Sequence, residues 1–191
     1  MNENEFLNKH WFTYHRLEDE FLEIEKTIPV DIENSNTFSW AYMKLLGSIC
    51  AELSGCFKNF AKFNGKDYDS INQYKQFIND TFPDFIATEC SFYKLGCEVQ
   101  YLRPFANWTG DNNPFWWKTN NKIKHRRNDI EEGQIIENYK LANQNCILTA
   151  LIGLYQLNIY FYTNIKRNST SFQVLLIPEN PSKIFNIRVV T

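Results

Sequence analysis

A long apolar run in the last third of the chain limits the fold more than any other feature. Residues 146–162 read CILTALIGLYQLNIYFY, which is about as long as the shortest membrane-spanning helices. Two amide side chains, Gln156 and Asn158, interrupt the run, and no flanking charge asymmetry marks an orientation in a membrane. We therefore interpret residues 135–165 as one long helix, buried at the centre of a soluble protein that does not enter a membrane.

Apolar residues recur at helical spacing through most of the remaining chain, which predicts further helices over 8–28, 37–63, 70–79 and 84–97. The stretch 98–105 has the alternation of a short strand or an extended connector, and the tail at 171–191 that of a hairpin or an extended arm. The sequence thus predicts an all-α, single-domain helical bundle of four to five main helices over residues 1–191, with a short C-terminal extended arm or hairpin.

Length and charge limit the function classes. A chain of 191 residues favours one domain with a sizeable hydrophobic core. The formal net charge of −2 argues against a general nucleic-acid coat protein, because such proteins are usually basic. Any contact with nucleic acid must therefore be local, and the only dense basic patch in the sequence is at 118–127.

Cysteine and histidine usage indicates a reducing compartment and no metal site. The chain has 5 cysteines, an odd number, and no pair has CxxC spacing. The first residues lack the basic and apolar regions of a secretory signal, so we expect a cytoplasmic protein. None of the 3 histidines stands at ligand spacing from a cysteine pair, and we expect neither a metal nor a cofactor. Two of them, His10 and His15, are expected at the surface of the first helix.

The basic patch belongs to a predicted helix over 114–130, which contains the run NPFWWKTNNKIKHRR at 113–127. Asp111, Asn112 and Asn113 are candidate N-caps, and Pro114 suits the first helical position. At about 100° per residue, one face of this helix is mostly apolar and carries Trp116, Thr119, Ile123 and Ile130. The opposite face gathers ammonium, amide, imidazole and carboxylate groups from Lys118, Asn121, Lys122, His125 and Asp129.

The same helix carries the residues of a family resemblance, namely Asn121, Lys124, His125 and Arg126, preceded by LRPF at 102–105. This cluster, on the penultimate long helix of a helical chain, resembles the HEPN superfamily of four- to five-helix bundles. It is most similar to uncharacterised bacterial HEPN-like proteins with a WW-x-x-x-N-x-x-KH-x-R pattern. In ribonucleolytic members four to six residues separate an arginine from the histidine, whereas those positions here hold Lys118, Thr119 and Asn120.

The resemblance implies a HEPN-like protein that acts on RNA, either as a metal-free endoribonuclease or as an RNA-binding toxin or defence component. It also implies a homodimer with a composite site at its interface, and RNA or a partner protein such as an antitoxin as the ligand. His125 is then the candidate acid or base, and Asn121, one turn earlier, orients the imidazole or binds a phosphate oxygen. The expected nucleic-acid-binding residues are Lys118, Lys122, Lys124, Arg126 and Arg127.

Two alternatives remain open on the residues alone. The polar face also suits an ordinary solvated helix surface, on which Asn121 bonds only a neighbouring backbone group and His125 caps the helix or bridges to a carboxylate such as Asp129. The alternative function is a non-catalytic helical interaction module that binds a partner protein. Trp116 and Trp117 are interpreted as core and rim aromatics, because large aromatic side chains are mostly buried.

Overall fold

Helices make up most of this computed structural model, which describes residues 1–92, 100–168 and 174–188. Its helical elements are α1 (Glu3–Phe6), a π-helical turn (Leu7–Trp11), α2 (Phe12–Glu25), α3 (Trp40–Phe63), α4 (Ile71–Thr81), α5 (Phe115–Arg126), a 3-10 helix (Asn138–Leu141) and α6 (Gln144–Arg167). Its strands are β1 (Glu89–Phe92), β2 (Gln100–Leu102) and β3 (Phe185–Arg188).

Helix α6 is the central element, as the apolar run predicts. It is long and apolar enough to cross a membrane. However, every residue of its most apolar 18-residue stretch is buried within the fold, as in the core helix of a soluble protein. It packs most extensively against α3. The two amides that interrupt the run bond to backbone carbonyls: Gln156 Nε2 donates to Phe85 O at 2.6 Å, and Asn158 Nδ2 donates to Leu154 O at 2.9 Å.

The predicted start of this helix near residue 135 is wrong, because α6 begins at Gln144. Asn143 has extended backbone geometry, and its side chain accepts the Cys146 N–H at 3.0 Å, which caps the helix. Asn143 also forms an isolated antiparallel bridge with Phe38. A polar connector and a 3-10 helix therefore occupy part of the predicted helical span.

The other helices lie close to their predicted ranges. α1, the π-helical turn and α2 follow one another from Glu3 to Glu25, where the sequence predicts one helix over 8–28. Ser39 caps α3 by accepting the Tyr42 N–H at 3.1 Å. Ser70 caps α4 in a capping box with Gln73, so both helices begin where a polar side chain satisfies free backbone donors.

A three-stranded antiparallel sheet is the main departure from the all-α prediction, which holds only for the bulk of the chain. The strand order is β2-β1-β3, and Cys90 lies opposite Leu102 on one side and Ile187 on the other. Residues 89–92 alternate between half-buried and buried side chains, which is the period of a strand. The predicted helix over 84–97 is therefore wrong where it meets β1; its residues 93–97 lie outside the described ranges, as do 171–173 and 189–191 of the predicted tail.

The tail contributes β3 to this sheet, so it does not form a hairpin within the part of the chain that is described. Glu89 ties the three strands together, because it accepts from Arg103 Nε at 3.0 Å and from Arg188 Nε at 2.9 Å. Hydrogen bonds from Arg188 and then from Arg103 hold the pKa of the Glu89 carboxyl below its usual value. The ends of β2 and β3 are thus fixed to β1 by charge as well as by the strand ladder.

A buried carboxylate on α2 holds the segment before β3. Glu18 is 0% exposed, and it accepts from Tyr14 Oη at 2.8 Å, from the Lys183 N–H at 3.1 Å and from the Ser182 hydroxyl. His15 Nδ1 lies 3.3 Å from its second oxygen. Burial opposes ionisation of Glu18, but hydrogen bonds from His15, Ser182 and Tyr14 leave the pKa of the carboxyl below its ordinary value.

Candidate functional site

Helix α5 presents the predicted apolar face to the core. Trp116, Thr119 and Ile123 are all buried, which confirms the face that the periodicity predicts. Trp116 Nε1 donates to Pro104 O at 3.2 Å, so the indole is fixed by a hydrogen bond as well as by packing. Ile130, assigned to the same face, lies beyond the helix and is 59% exposed.

The ends of α5 differ from the predicted range of 114–130. The helix begins at Phe115, after Pro114, and no side chain caps it. Of the three candidate caps, Asn113 instead accepts from Trp108 Nε1 at 3.2 Å. The helix ends at Arg126, whose carbonyl accepts from Asn138 Nδ2 at 2.7 Å. The connector before α6 therefore folds back on this end and adds a hydrogen bond to a carbonyl of the last helical turn.

The C-terminal end of α5 is an exposed basic surface. Lys124, His125, Arg126 and Arg127 are all exposed. Lys122 differs from them, because its ammonium lies 2.6 Å from Glu131 and is half-buried. The hydrogen bond from Lys122 lowers the pKa of Glu131, so this carboxylate offsets the charge of the lysine.

A groove of about 490 Å³ lies between α3 and α5, and we call it the α3–α5 groove. Its cations are Lys44, Lys124 and Arg127, and Asn120 and Asn121 contribute amides. The other residues that line it are Met43, Gly47, Cys50, Ala51, Ser54, Trp117 and Ile123. None of these lining residues, all within the described ranges, carries a carboxylate. The arrangement suits an anion with several hydrogen-bond acceptors.

The structure separates the predicted site residues. Asn121, Lys124 and Arg127 line the α3–α5 groove together. Lys118 instead lines a second groove of about 300 Å³ on the other side of α5, and Lys122 is paired with Glu131. Arg126 is exposed outside the lining of both grooves.

His125 directly follows Lys124, which lines the α3–α5 groove, but His125 does not line the groove itself. Its side chain is exposed, and it has no hydrogen-bond partner among residues 1–92, 100–168 and 174–188. The imidazole is therefore not bonded to Asp129, whose N–H donates to Arg126 O at 3.2 Å. A side chain with this freedom is accessible to a ligand that lies over the end of α5.

Sequence reasoning missed Lys44, because this lysine belongs to α3 and only packing brings it opposite Lys124 and Arg127. The available signal was weak, since an exposed lysine on an amphipathic helix is usually a solubilising residue. Because of Lys44, both walls of the groove carry positive charge.

The expected surface role of the first two histidines is wrong for His10. This side chain is 4% exposed; its Nδ1 lies 2.5 Å from Glu52 Oε1, and its Nε2 lies 3.0 Å from Asn59 Nδ2. Both partners belong to α3, so His10 joins the π-helical turn to that helix. His15 contacts Glu18 and Asn180 O, and neither histidine lines the α3–α5 groove.

Cysteine chemistry has no support at this site. The described cysteines, Cys50, Cys56, Cys90 and Cys146, are free and buried, while Cys97 lies outside the described ranges. Cys50 lines the α3–α5 groove, and burial raises the pKa of its thiol far above the ordinary value, which leaves almost no reactive thiolate at neutral pH. Within the described parts of the chain, no group of three or more His, Cys, Asp or Glu side chains is arranged to hold a metal ion.

Comparisons of the chain with models of protein families, with curated proteins and with solved structures gave no significant match. The HEPN resemblance stays a prediction from the residues at 102–127.

Proposed function

We propose that the protein binds RNA through the α3–α5 groove. The observation that carries this proposal is the lining: three cations and two amides surround the groove, and its lining includes no carboxylate. The whole chain has a formal net charge of −2, so this concentration of positive charge is local. A local patch of this kind attracts a polyanion to one place on an otherwise acidic protein.

The groove's groups suit the parts of an RNA backbone. Lys44, Lys124 and Arg127 have no ion-pair partner in the described chain, so their charges are available to phosphates. Asn121 supplies an amide that can donate to a phosphate oxygen or to a 2′-hydroxyl. Trp117 adds an apolar wall beside these polar groups.

The resemblance supports metal-free cleavage at the same end of α5. In this proposal His125 takes the proton from a 2′-hydroxyl, and the freed oxygen attacks the adjacent phosphorus. The bond to the 5′-oxygen breaks and this oxygen takes up a proton, leaving a 2′,3′-cyclic phosphate and a 5′-hydroxyl. Lys124 and Arg126 are the nearest cations in sequence to stabilise the charge that develops on the phosphate.

The first test removes two of the groove's cations. We expect the double variant Lys124→Ala, Arg127→Ala to bind fluorescently labelled RNA about tenfold or more weakly at 50 mM salt than the wild type. The slope of log affinity against log salt should also fall by about one for each phosphate that the variant no longer neutralises. Fluorescence anisotropy across a salt series measures both quantities.

The matched control is the double variant Lys62→Ala, Lys66→Ala, which also removes two positive charges, from exposed lysines at the far end of α3 that do not line the groove. An equal loss of affinity in this control would mean that the overall charge of the protein, and not the groove, determines RNA affinity.

No RNA binding by the wild type would favour the alternative function, a protein-binding module. Exposed isoleucines in the connector favour that alternative, because Ile130 is 59% and Ile135 is 94% exposed.

The second test concerns His125. We expect His125→Ala to abolish metal-independent RNA cleavage while changing the free energy of unfolding by less than about 0.5 kcal/mol, because the side chain is exposed and unbonded. Asn121→Ala should reduce cleavage in the same direction. Gel analysis of RNA in the presence of EDTA, with a thermal melt of each variant, makes the measurement. Cleavage that persists in His125→Ala would rule out this histidine as the acid or base.

A further inference from the structure

An exposed aromatic stack lies between the start of α3 and the 3-10 helix. The rings of Trp40 and Tyr139 are stacked, with centroids 5.0 Å apart and an interplanar angle of 6°. Phe38 meets Tyr139 edge-on at 5.7 Å and 72°, and Lys140 Nζ lies 5.5 Å from the centre of the Tyr139 ring. We call Phe38, Trp40 and Tyr139 the aromatic platform.

The aromatic platform is exposed to solvent, although contacts between its rings hold them in place. Trp40 is 60% exposed and Phe38 is 40% exposed. Tyr139 covers one face of the Trp40 indole, and neither Trp40 nor Phe38 belongs to the buried core. A large flat π-surface is therefore held in a fixed orientation with area left to contact a ligand.

The platform adjoins the α3–α5 groove. Trp40 precedes Lys44 by one helical turn on α3, so the two side chains project from the same side of the helix. Tyr139 N–H donates to Arg127 O at 3.0 Å, which places the 3-10 helix against the other cationic wall. The aromatic surface thus continues the groove at the end where Lys44 and Arg127 lie.

We propose that the aromatic platform stacks an unpaired base of the RNA whose phosphates lie in the α3–α5 groove, so the ligand is single-stranded. This inference depends on the proposed RNA binding. Every base has a π-face, so stacking on a tryptophan strengthens binding with little sequence preference. In a duplex those faces are covered by neighbouring base pairs, and the platform has nothing to stack on.

The test compares Trp40→Ala with the wild type on a labelled single-stranded RNA, the duplex of the same sequence, and a single strand with abasic positions. We expect Trp40→Ala to weaken binding of the single strand about tenfold without changing the salt slope. Trp40→Phe should keep most of the affinity, because a ring remains. The wild type should bind the duplex and the abasic strand about as weakly as Trp40→Ala binds the intact strand.

The control variant is Phe12→Ala, since Phe12 is 59% exposed on α2 and lies outside the groove and the platform. Full single-strand affinity in Trp40→Ala, or equal affinity of the wild type for duplex and single strand, would overturn the stacking proposal. If Lys124→Ala, Arg127→Ala still bound RNA more weakly in that case, RNA binding by the groove would stand. A dimer that dissociates in Trp40→Ala with RNA affinity unchanged would assign the platform to a protein interface and also overturn the proposal.

Discussion

Glu18→Ala is expected to lower the free energy of unfolding by about 3–5 kcal/mol, because it removes a buried carboxylate and leaves its donors without a partner. Tyr14, Ser182 and the Lys183 backbone all donate to this carboxylate, which is 0% exposed. The segment before β3 should become more mobile in this variant, because Glu18 no longer binds it. Urea unfolding followed by circular dichroism measures this change in free energy. In a thermal melt, the midpoint temperature should fall by roughly 2–4 °C for each kcal/mol of stability lost.

Two comparisons make the Glu18 experiment specific. Asp19→Ala breaks an exposed ion pair to Lys183 on the same segment, and it should cost less than about 1 kcal/mol. The pKa of Glu18 lies below its ordinary value of 4.5, so its contribution is present above about pH 4.5 and is lost as the pH falls through the folded-state pKa. The stability difference between wild type and Glu18→Ala should therefore shrink in acid. Equal costs for both variants would contradict this account of the segment.

Trp116→Ala should destabilise the protein by about 3–5 kcal/mol, because it leaves a cavity in the core. The indole is 0% exposed, donates to Pro104 O at 3.2 Å and meets the Phe105 ring edge-on at 5.7 Å. It also lies against α6, since a Cβ added at Gly153 would be 3.4 Å from Trp116 Cζ2. Thermal and urea unfolding of the purified variant measure the effect.

The control for Trp116 is the same substitution at Trp40. That indole is 60% exposed, so Trp40→Ala should cost no more than about 1 kcal/mol of stability while it weakens the proposed RNA contact. Comparing the two variants therefore distinguishes a loss of stability from a loss of RNA binding for the same type of substitution. A similar decrease in stability at both positions would mean that burial does not explain the role of Trp116.

Sequence periodicity predicted those parts of the fold whose determinants are local. The buried face of α5 and the central position of α6 follow from apolar residues within a few turns of each other. The sheet could not be predicted in this way, because β1 pairs with β3, whose residues begin at Phe185. The start of α6 was missed for a related reason: its N-cap, Asn143, also bridges to Phe38.

The candidate site was predicted in part. Periodicity placed Asn121 on the polar face of α5, and that residue lines the α3–α5 groove with Lys124 and Arg127. It also placed Lys118 on that face with Asn121, whereas packing against α5 divides the polar face between two grooves. The groove's second wall, with Lys44, and the Trp40 stack depend on contacts between distant segments, which a helical wheel does not contain.

The pairing of β1 with β3 has a consequence for folding during synthesis. The central strand of the sheet, Glu89–Phe92, leaves the ribosome long before its neighbour Phe185–Arg188. Until then one edge of β1 lacks its partner, and unpaired edges invite association with other chains. Pairing across so long a separation also carries a large loop-closure entropy, which slows the step. β3 is the last described helix or strand along the chain, so completion of the sheet is expected to be the late event of folding and the stage most exposed to aggregation.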